Sequence, residues 1–328
     1  MKYSIFEAKK IIDRSLKELN IYDYLYNDSE VTEVTINSDQ KIFIKRSGEG
    51  FVEVGKSEND KIISILNTLA TLRSITLGLE NPEIDGELPL TKSRVVGIIS
   101  PVVENPTFNI RKKIPVIKTL EDYLKDEFIT EEVYNYLKAS VLNKKSILVV
   151  GGTNTGKTTF LNALISAMDI NKRVILVEEV EELQTKAVNV QRLKIIPGIY
   201  SAERALKTCM RLTPEIIIFG EIRGIEAYEF IKALNSGHEG GLSTIHANNC
   251  LLGLKKMEMY TRTAIGHPLS EELAMGVNIL VTLKEKNHTR YLDSIVEVLG
   301  YDSVKNEYKL KPIYQKEEGC IYEDNTII

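Results

Sequence analysis

The chain has 328 residues, 43% of them hydrophobic and 27% charged, with a formal net charge of −4. That length suits about two domains with a sizeable core, and the slightly acidic balance argues against a protein whose main business is coating nucleic acid. The three cysteines, Cys209, Cys250 and Cys320, are too far apart for a metal-ligand spacing or a disulfide framework, so a reducing, cytoplasmic setting is expected. No apolar run approaches the ~20 residues that span a bilayer, and Met1-Lys2-Tyr3-Ser4-Ile5-Phe6-Glu7 contains no apolar signal region. Any membrane contact would be peripheral or through a partner.

Residues 5–25 have the periodicity of one amphipathic helix, with Ile5, Ala8, Ile12, Leu16 and Leu19 on one face. Packing on its own domain is the simpler reading, although a membrane-surface helix has the same pattern. Short alternating segments follow at 31–36, 41–45 and 50–54, separated by Asn37-Ser38-Asp39 and Ser47-Gly48-Glu49-Gly50. A helix is predicted over 58–72 and strands over 84–90, 94–100 and 107–112. Strands clustered with few helices predict a small α+β domain built on an antiparallel sheet.

A boundary is expected near Lys112-Lys113-Ile114-Pro115, giving an N-terminal domain over 1–113, a linker over 114–120 and a second domain over 121–328. Thr119-Leu120-Glu121-Asp122 fits a capping box at a helix start. Apolar runs at 146–150, 173–178, 216–220, 242–246 and 279–283 then alternate with helical stretches. This is the α/β signature of a mainly parallel sheet covered by helices. Strand-like segments at 291–299 and 308–314 predict a terminal hairpin.

Gly151-Gly152-Thr153-Asn154-Thr155-Gly156-Lys157-Thr158 fits G-x-x-x-x-G-K-[ST], a phosphate-binding loop, with Thr159 directly beyond it. It lies between an apolar strand-like run and a helical pattern, the context the motif requires. Glycines let several N–H groups turn toward an anion, and the following helix start favours negative charge. Lys157 suits the β- and γ-phosphates of a nucleotide, and the Thr158 hydroxyl suits Mg2+.

Three later strands should deliver polar groups to the same edge, because ligands bind at the carboxyl ends of strands in open α/β sheets. They offer Glu178 with Glu179, Glu221 within Phe219-Gly220-Glu221-Ile222-Arg223-Gly224, and His246. A carboxylate there can orient or deprotonate water or hold a metal-bound water, and a histidine can stabilise the γ-phosphate. Taken singly, the run of glutamates reads as a solvated turn and the histidine as structural. Behind a phosphate-binding loop the balance reverses.

Four segments in this order resemble the traffic ATPases of type II and type IV secretion systems. They are the loop itself; the acidic segment 173–183; Phe219-Gly220-Glu221-Ile222-Arg223-Gly224, similar to that family's Walker B segment; and Ser236-Gly237-His238-Glu239-Gly240-Gly241 with Ser243-Thr244-Ile245-His246-Ala247-Asn248-Asn249, similar to its histidine box. Pro106-Thr107-Phe108-Asn109-Ile110-Arg111-Lys112, Leu120-Glu121-Asp122-Tyr123 and Glu297-Val298-Leu299-Gly300-Tyr301 resemble the conjugal-transfer TrbB branch. The likeness covers about residues 80–315.

The resemblance implies a RecA-like ATPase domain behind a smaller N-terminal α+β domain, ATP and Mg2+ as ligands, and a homohexameric ring. It also implies inner-membrane components of a secretion or conjugation apparatus as partners, at the inner face of the cytoplasmic membrane. The acidic balance and the lack of basic–aromatic interleaving speak against direct nucleic-acid binding. Glu221 and Glu178 match the family's catalytic and metal-contacting glutamates. Arg94 and Arg111 match two N-domain arginines that approach the phosphates, where a guanidinium neutralises charge on the transferring group; surface or salt-bridge arginines are the plainer alternative.

Asn154 replaces the family's usual glycine, Glu179 its aspartate and Ser236 its threonine. A pilus-assembly or type II secretion motor shares these motifs, but this sequence lacks the tetracysteine module and long N-terminal extension common there. A RecA-like nucleic-acid motor and a nucleotide-gated scaffold without turnover are the remaining alternatives.

Overall fold

The computed structural model describes residues 4–89, 91–113, 118–196 and 198–316, together with the backbone of 320–321. The chain divides into two compact units, Met1–Val116 and Ile117–Ile328. Residues 114–117 of the expected linker lie outside the described residues.

The first unit contains α1 (Ile5–Glu18), α2 (Tyr22–Tyr26), β1 (Val31–Ile36), β2 (Lys41–Arg46), β3 (Phe51–Lys56), α3 (Asn59–Leu72), β4 (Glu83–Glu87), β5 (Arg94–Ile98) and β6 (Thr107–Arg111). The strands form one antiparallel sheet in the order β3-β2-β1-β6-β5-β4. Its buried face, with Val34, Ile44, Val95 and Phe108, packs in one core with Ile12 and Leu16 of α1 and Ile62, Ile65 and Leu66 of α3.

The helix expected over 5–25 is two helices. Ser4 and Glu7 close a capping box at the start of α1. At its end Asn20 adopts φ 57°, Asn20 N–H donates to Lys17 O, and Ile21 N–H donates to Leu16 O. This is a left-handed helix cap in which a short polar side chain tolerates a backbone that most residues avoid. Ile21 is fully buried beside it, which offsets the break. Ile5, placed on the apolar face by periodicity, is 57% exposed, because the first turn overhangs the core.

The second unit opens with α4 (Leu120–Lys125) and α5 (Glu131–Leu142). There follow β7 (Ile147–Gly151), α6 (Lys157–Ser166), β8 (Arg173–Glu178), β9 (Asn189–Lys194), α7 (Ala202–Cys209), β10 (Ile216–Ile222), α8 (Glu226–Leu234) and β11 (Leu242–His246). The unit ends with α9 (Cys250–Ile265), α10 (Ser270–Gly276), β12 (Ile279–Lys286), β13 (Thr289–Asp302), β14 (Glu307–Gln315) and β15 (Cys320–Ile321). Thr119 and Asp122 form the expected capping box on α4.

The sheet order is β15-β14-β13-β12-β7-β11-β10-β8-β9. The run from β12 to β9 is parallel, and β13 to β15 extend it antiparallel. β7 is buried on both faces: Ile147 and Val149 join the core under α4–α6, whereas Leu148 and Val150 join the core under α7–α10. Each fully buried Val or Leu side chain contributes about 1.5–3 kcal/mol relative to exposure. The predicted terminal hairpin is β13 and β14.

β9 was not anticipated. It is a polar edge strand, Asn-Val-Gln-Arg-Leu-Lys, with little buried surface. Such an edge carries neither an apolar run nor a clean alternation. Cys209 and Cys250 are buried free thiols. No helix among the described residues is long and apolar enough to cross a membrane.

Candidate functional site

The parallel registers bring the predicted groups to one edge of the second sheet. β11 sets His246 opposite Gly151 at the end of β7, β10 lies on the far side of β11, and β8 follows β10. The loop between β7 and α6 is built by close approach and left-handed backbone. A Cβ on Gly151 would meet the Leu283 carbonyl and Thr155 Oγ1, each at 2.6 Å. Gly156 has φ 89° and Asn154 φ 63°. Asn is among the few L-residues that occupy this region readily, which explains how the loop accommodates it. Lys157 opens α6 and is 7% exposed.

A continuous line of side chains runs from Lys157 across the strand ends. Lys157 Nζ donates to Gly152 O at 2.6 Å and lies 3.1 Å from His246 Nδ1. A lysine ammonium has only donors, so Nδ1 is the acceptor and Nε2 carries the imidazole hydrogen. His246 Nε2 lies 2.8 Å from Glu221 Oε1. Its N–H is poorly aligned, so Oε1 is buried without a well-directed hydrogen bond. Glu221 Oε2 accepts from Arg223 Nη2 at 2.7 Å, and Arg223 Nη1 reaches Glu179 Oε2 at 3.2 Å. Lys256 of α9 donates to His246 O at 2.7 Å and holds that residue's backbone.

The electrostatics follow from this packing. Burial lowers the pKa of His246, Lys157 lowers it further, and Glu221 opposes them; the imidazole is therefore neutral at pH 7. Burial pushes the Glu221 carboxyl upward, but Arg223, His246 and Lys157 together leave it below the usual value. Glu221 is thus an ionised acceptor beside two cations and a neutral N–H donor.

A break in register aims Glu221. Between Phe219↔Ser243 and Ile222↔Ile245, β10 has one residue more than β11. Such a bulge re-aims a side chain, and Thr244 Oγ1 secures it by donating to Gly220 O at 2.8 Å. The isolated Gly220 was the available sequence signal.

Glu178 is placed differently. It is 7% exposed; its Oε2 accepts the N–H groups of Glu182 at 2.8 Å and Leu183 at 2.7 Å, and its Oε1 accepts Arg192 Nη1 at 2.9 Å. Burial raises its pKa, with the Leu183 and Glu182 amides and Arg192 opposing. These contacts tie the turn after β8 to β9.

Thr158 and Thr159 occupy the first turn of α6 and are half-buried. Ser236-Gly237-His238-Glu239-Gly240-Gly241 precedes β11 and so lies at its amino end, away from Lys157. Arg94 and Arg111 belong to the other unit, where they face each other across β5 and β6. Arg94 is paired with Asp85 at 2.6 and 3.2 Å, and Arg111 is exposed.

Sequence reasoning missed Arg192, the roles of Arg223 and Glu179, Lys256, and Arg290 of β13, whose side chain packs beside Gly156. Arg223 and Glu179 stood inside recognised motifs; Arg192, Lys256 and Arg290 had no local signal.

The model of a family described as type II/IV secretion system protein matches residues 96–317. The chain belongs to the type II/IV secretion system protein family. With its phosphate-binding loop it is a P-loop ATPase of that family. It is 31% identical over 295 residues to conjugal transfer protein TrbB of Rhizobium radiobacter, covering 89% of this chain and 90% of that one. It is 26% identical to type IV secretion system protein VirB11 of Brucella suis biovar 1, covering 78% and 80%. These relatives bear out the resemblance to the conjugal-transfer branch. The ATPase DotB of Legionella pneumophila shares the fold, with a TM-score of 0.63, 16% identity and coverage of 93% of this chain and 83% of that one.

Proposed function

We propose that this ATPase is the homohexameric motor of a type IV secretion or conjugal-transfer apparatus, working peripherally at the inner face of the cytoplasmic membrane with inner-membrane components as partners. The names of its relatives, conjugal transfer protein TrbB and type IV secretion system protein VirB11, support the choice of apparatus. The observation that carries the enzymatic reading is the line Lys157–His246–Glu221, with contacts of 3.1 and 2.8 Å, at the end of adjacent parallel strands.

In this reading the N–H groups of the loop from Gly151 to Thr159 and the Lys157 ammonium hold the phosphates of ATP. Glu221 orients the attacking water and accepts its proton through Oε1, the oxygen with no well-directed hydrogen bond. The neutral His246 donates from Nε2 toward charge that develops on the γ-phosphate. The residues present also fit Mg2+: Thr158 and Glu221 would hold it, and it would neutralise charge on the β- and γ-phosphate oxygens. Among the described residues no three His, Cys, Asp or Glu side chains gather into a metal cluster.

Glu178 supports the edge of the site from below. Arg94 and Arg111 would bring positive charge to the phosphates.

The test is phosphate release from ATP by the purified protein, with solution mass measured on the same sample and Lys157→Ala as control. Turnover that requires both a ring-sized assembly and Lys157 is expected. A monomer that turns over at full rate would remove the ring, and turnover insensitive to Lys157→Ala would remove the site.

A further inference from the structure

We infer that Arg223 and Glu179 form a positioning bridge for Glu221, a role distinct from contact with nucleotide; the inference rests on the assignment of Glu221 as the water-orienting carboxylate. The bulge that turns Glu221 out of the regular strand leaves it free to rotate about its own bonds. Something must fix the carboxylate plane, because a misplaced base loses most of its effect. Arg223 does so with one planar fork. Nη2 holds Glu221 Oε2 at 2.7 Å, and Nη1 reaches Glu179 Oε2 at 3.2 Å. The ends of β10 and β8 are thereby joined through a single guanidinium.

Three features make this a built device. The Arg223 backbone is held in place, since the buried Glu226 accepts its N–H at 2.6 Å and that of Gly224 at 2.9 Å. Glu179 provides the reach: an aspartate there would be about 1.5 Å shorter, and the 3.2 Å contact would be lost. The bridge also occupies Oε2 alone, so Oε1 stays turned toward His246. A lysine cannot replace the fork, because its single ammonium lacks the two parallel donors.

The experiment measures kcat at saturating ATP, with nucleotide affinity and thermal midpoint, for the wild type, Arg223→Ala, Arg223→Lys and Glu179→Ala. Arg223→Ala is expected to lower kcat by about tenfold or more with affinity kept within about threefold. Arg223→Lys should not recover the rate, because a single ammonium cannot hold both carboxylates as the fork does. Glu179→Ala, which removes one leg and leaves Arg223 in place, should lower kcat by about threefold. It carries the test if Arg223→Ala fails to fold. A folded Arg223→Ala protein with the wild-type rate overturns the bridge, as does a wild-type rate for Arg223→Lys or for Glu179→Ala. Absence of turnover in the wild type would instead overturn the assignment of Glu221 on which the bridge rests.

Discussion

The ends of β8 and β10 look alike in sequence and differ in the folded chain. Both are apolar runs that finish in a glutamate, and both strands lie side by side in the parallel sheet. Glu178 at the end of β8 has both oxygens taken, by two backbone N–H groups and Arg192. Glu221 at the end of β10 has one oxygen taken by Arg223 and the other turned toward His246. A regular strand end hands its carboxylate to the following turn, whereas a bulged one presents it to the site. Chemistry at such an edge is decided by which lone pairs the fold has already used.

Two substitutions should separate these carboxylates in opposite directions. Glu221→Gln is expected to lower kcat by about 10²–10⁴-fold with ATP binding and thermal midpoint nearly unchanged, because it removes the acceptor and leaves the loop intact. Glu178→Ala is expected to do the reverse. It strands two amide donors beneath the turn, at a cost of about 1–3 kcal/mol, seen as a lower thermal midpoint, while the folded fraction keeps much of its turnover. Near-normal turnover in Glu221→Gln together with loss in Glu178→Ala at full stability would exchange the two roles.

How much of this was legible in sequence follows from how local each signal is. The loop from Gly151 to Thr158 is read directly, because glycine, lysine and threonine requirements fall within a few residues. The parallel strands are legible because burial on both faces leaves unbroken apolar runs such as Ile147–Gly151. Edge strand β9 escaped because neither face is buried enough to write a pattern. The bulge at Gly220–Glu221 escaped because it depends on the register with β11, and the reach of Glu179 to Arg223 depends on β8 lying beside β10. The break at Asn20 had a local signal, an asparagine after the last periodic residue, but the apolar period of Ile12, Leu16 and Leu19 was carried on to residue 25.

The first unit offers a smaller test. Arg94 is neutralised by Asp85, whereas Arg111 is exposed and opposite Arg94. If the pair serves the phosphates, Arg111→Ala should lower kcat by about tenfold and change nucleotide affinity less. An unchanged rate in a protein of wild-type stability would leave Arg111 as a surface residue and confine the chemistry to the second unit.

The smallest effect sharpens the distinction between kinds of committed carboxylate. Glu258 on α9 accepts Ser270 Oγ at 2.6 Å and Tyr308 Oη at 2.7 Å and pairs with Lys255 at 3.1 Å. Burial pushes its pKa up, but these donors leave it below the usual carboxylate value. Glu178, with burial dominant, is raised. The unfolded chain binds more protons than the native one at Glu258, so this group contributes stability above the ordinary glutamate pKa, lost as pH falls through the lower native value. At Glu178 the native chain holds the proton longer, so stability from this group is present below the ordinary pKa and falls as pH rises through the higher native value. Each slope is at most about 1.4 kcal/mol per pH unit for one proton. Thermal midpoints of the wild type, Glu258→Gln and Glu178→Gln between about pH 3 and 7 should therefore diverge with opposite signs. The deficit of Glu258→Gln relative to the wild type should shrink toward acid pH, and that of Glu178→Gln should be smaller at pH 7 than at pH 4. Parallel curves for both variants would mean that neither carboxylate changes its proton affinity on folding, and would remove the electrostatic difference between donors that outweigh burial and donors that do not.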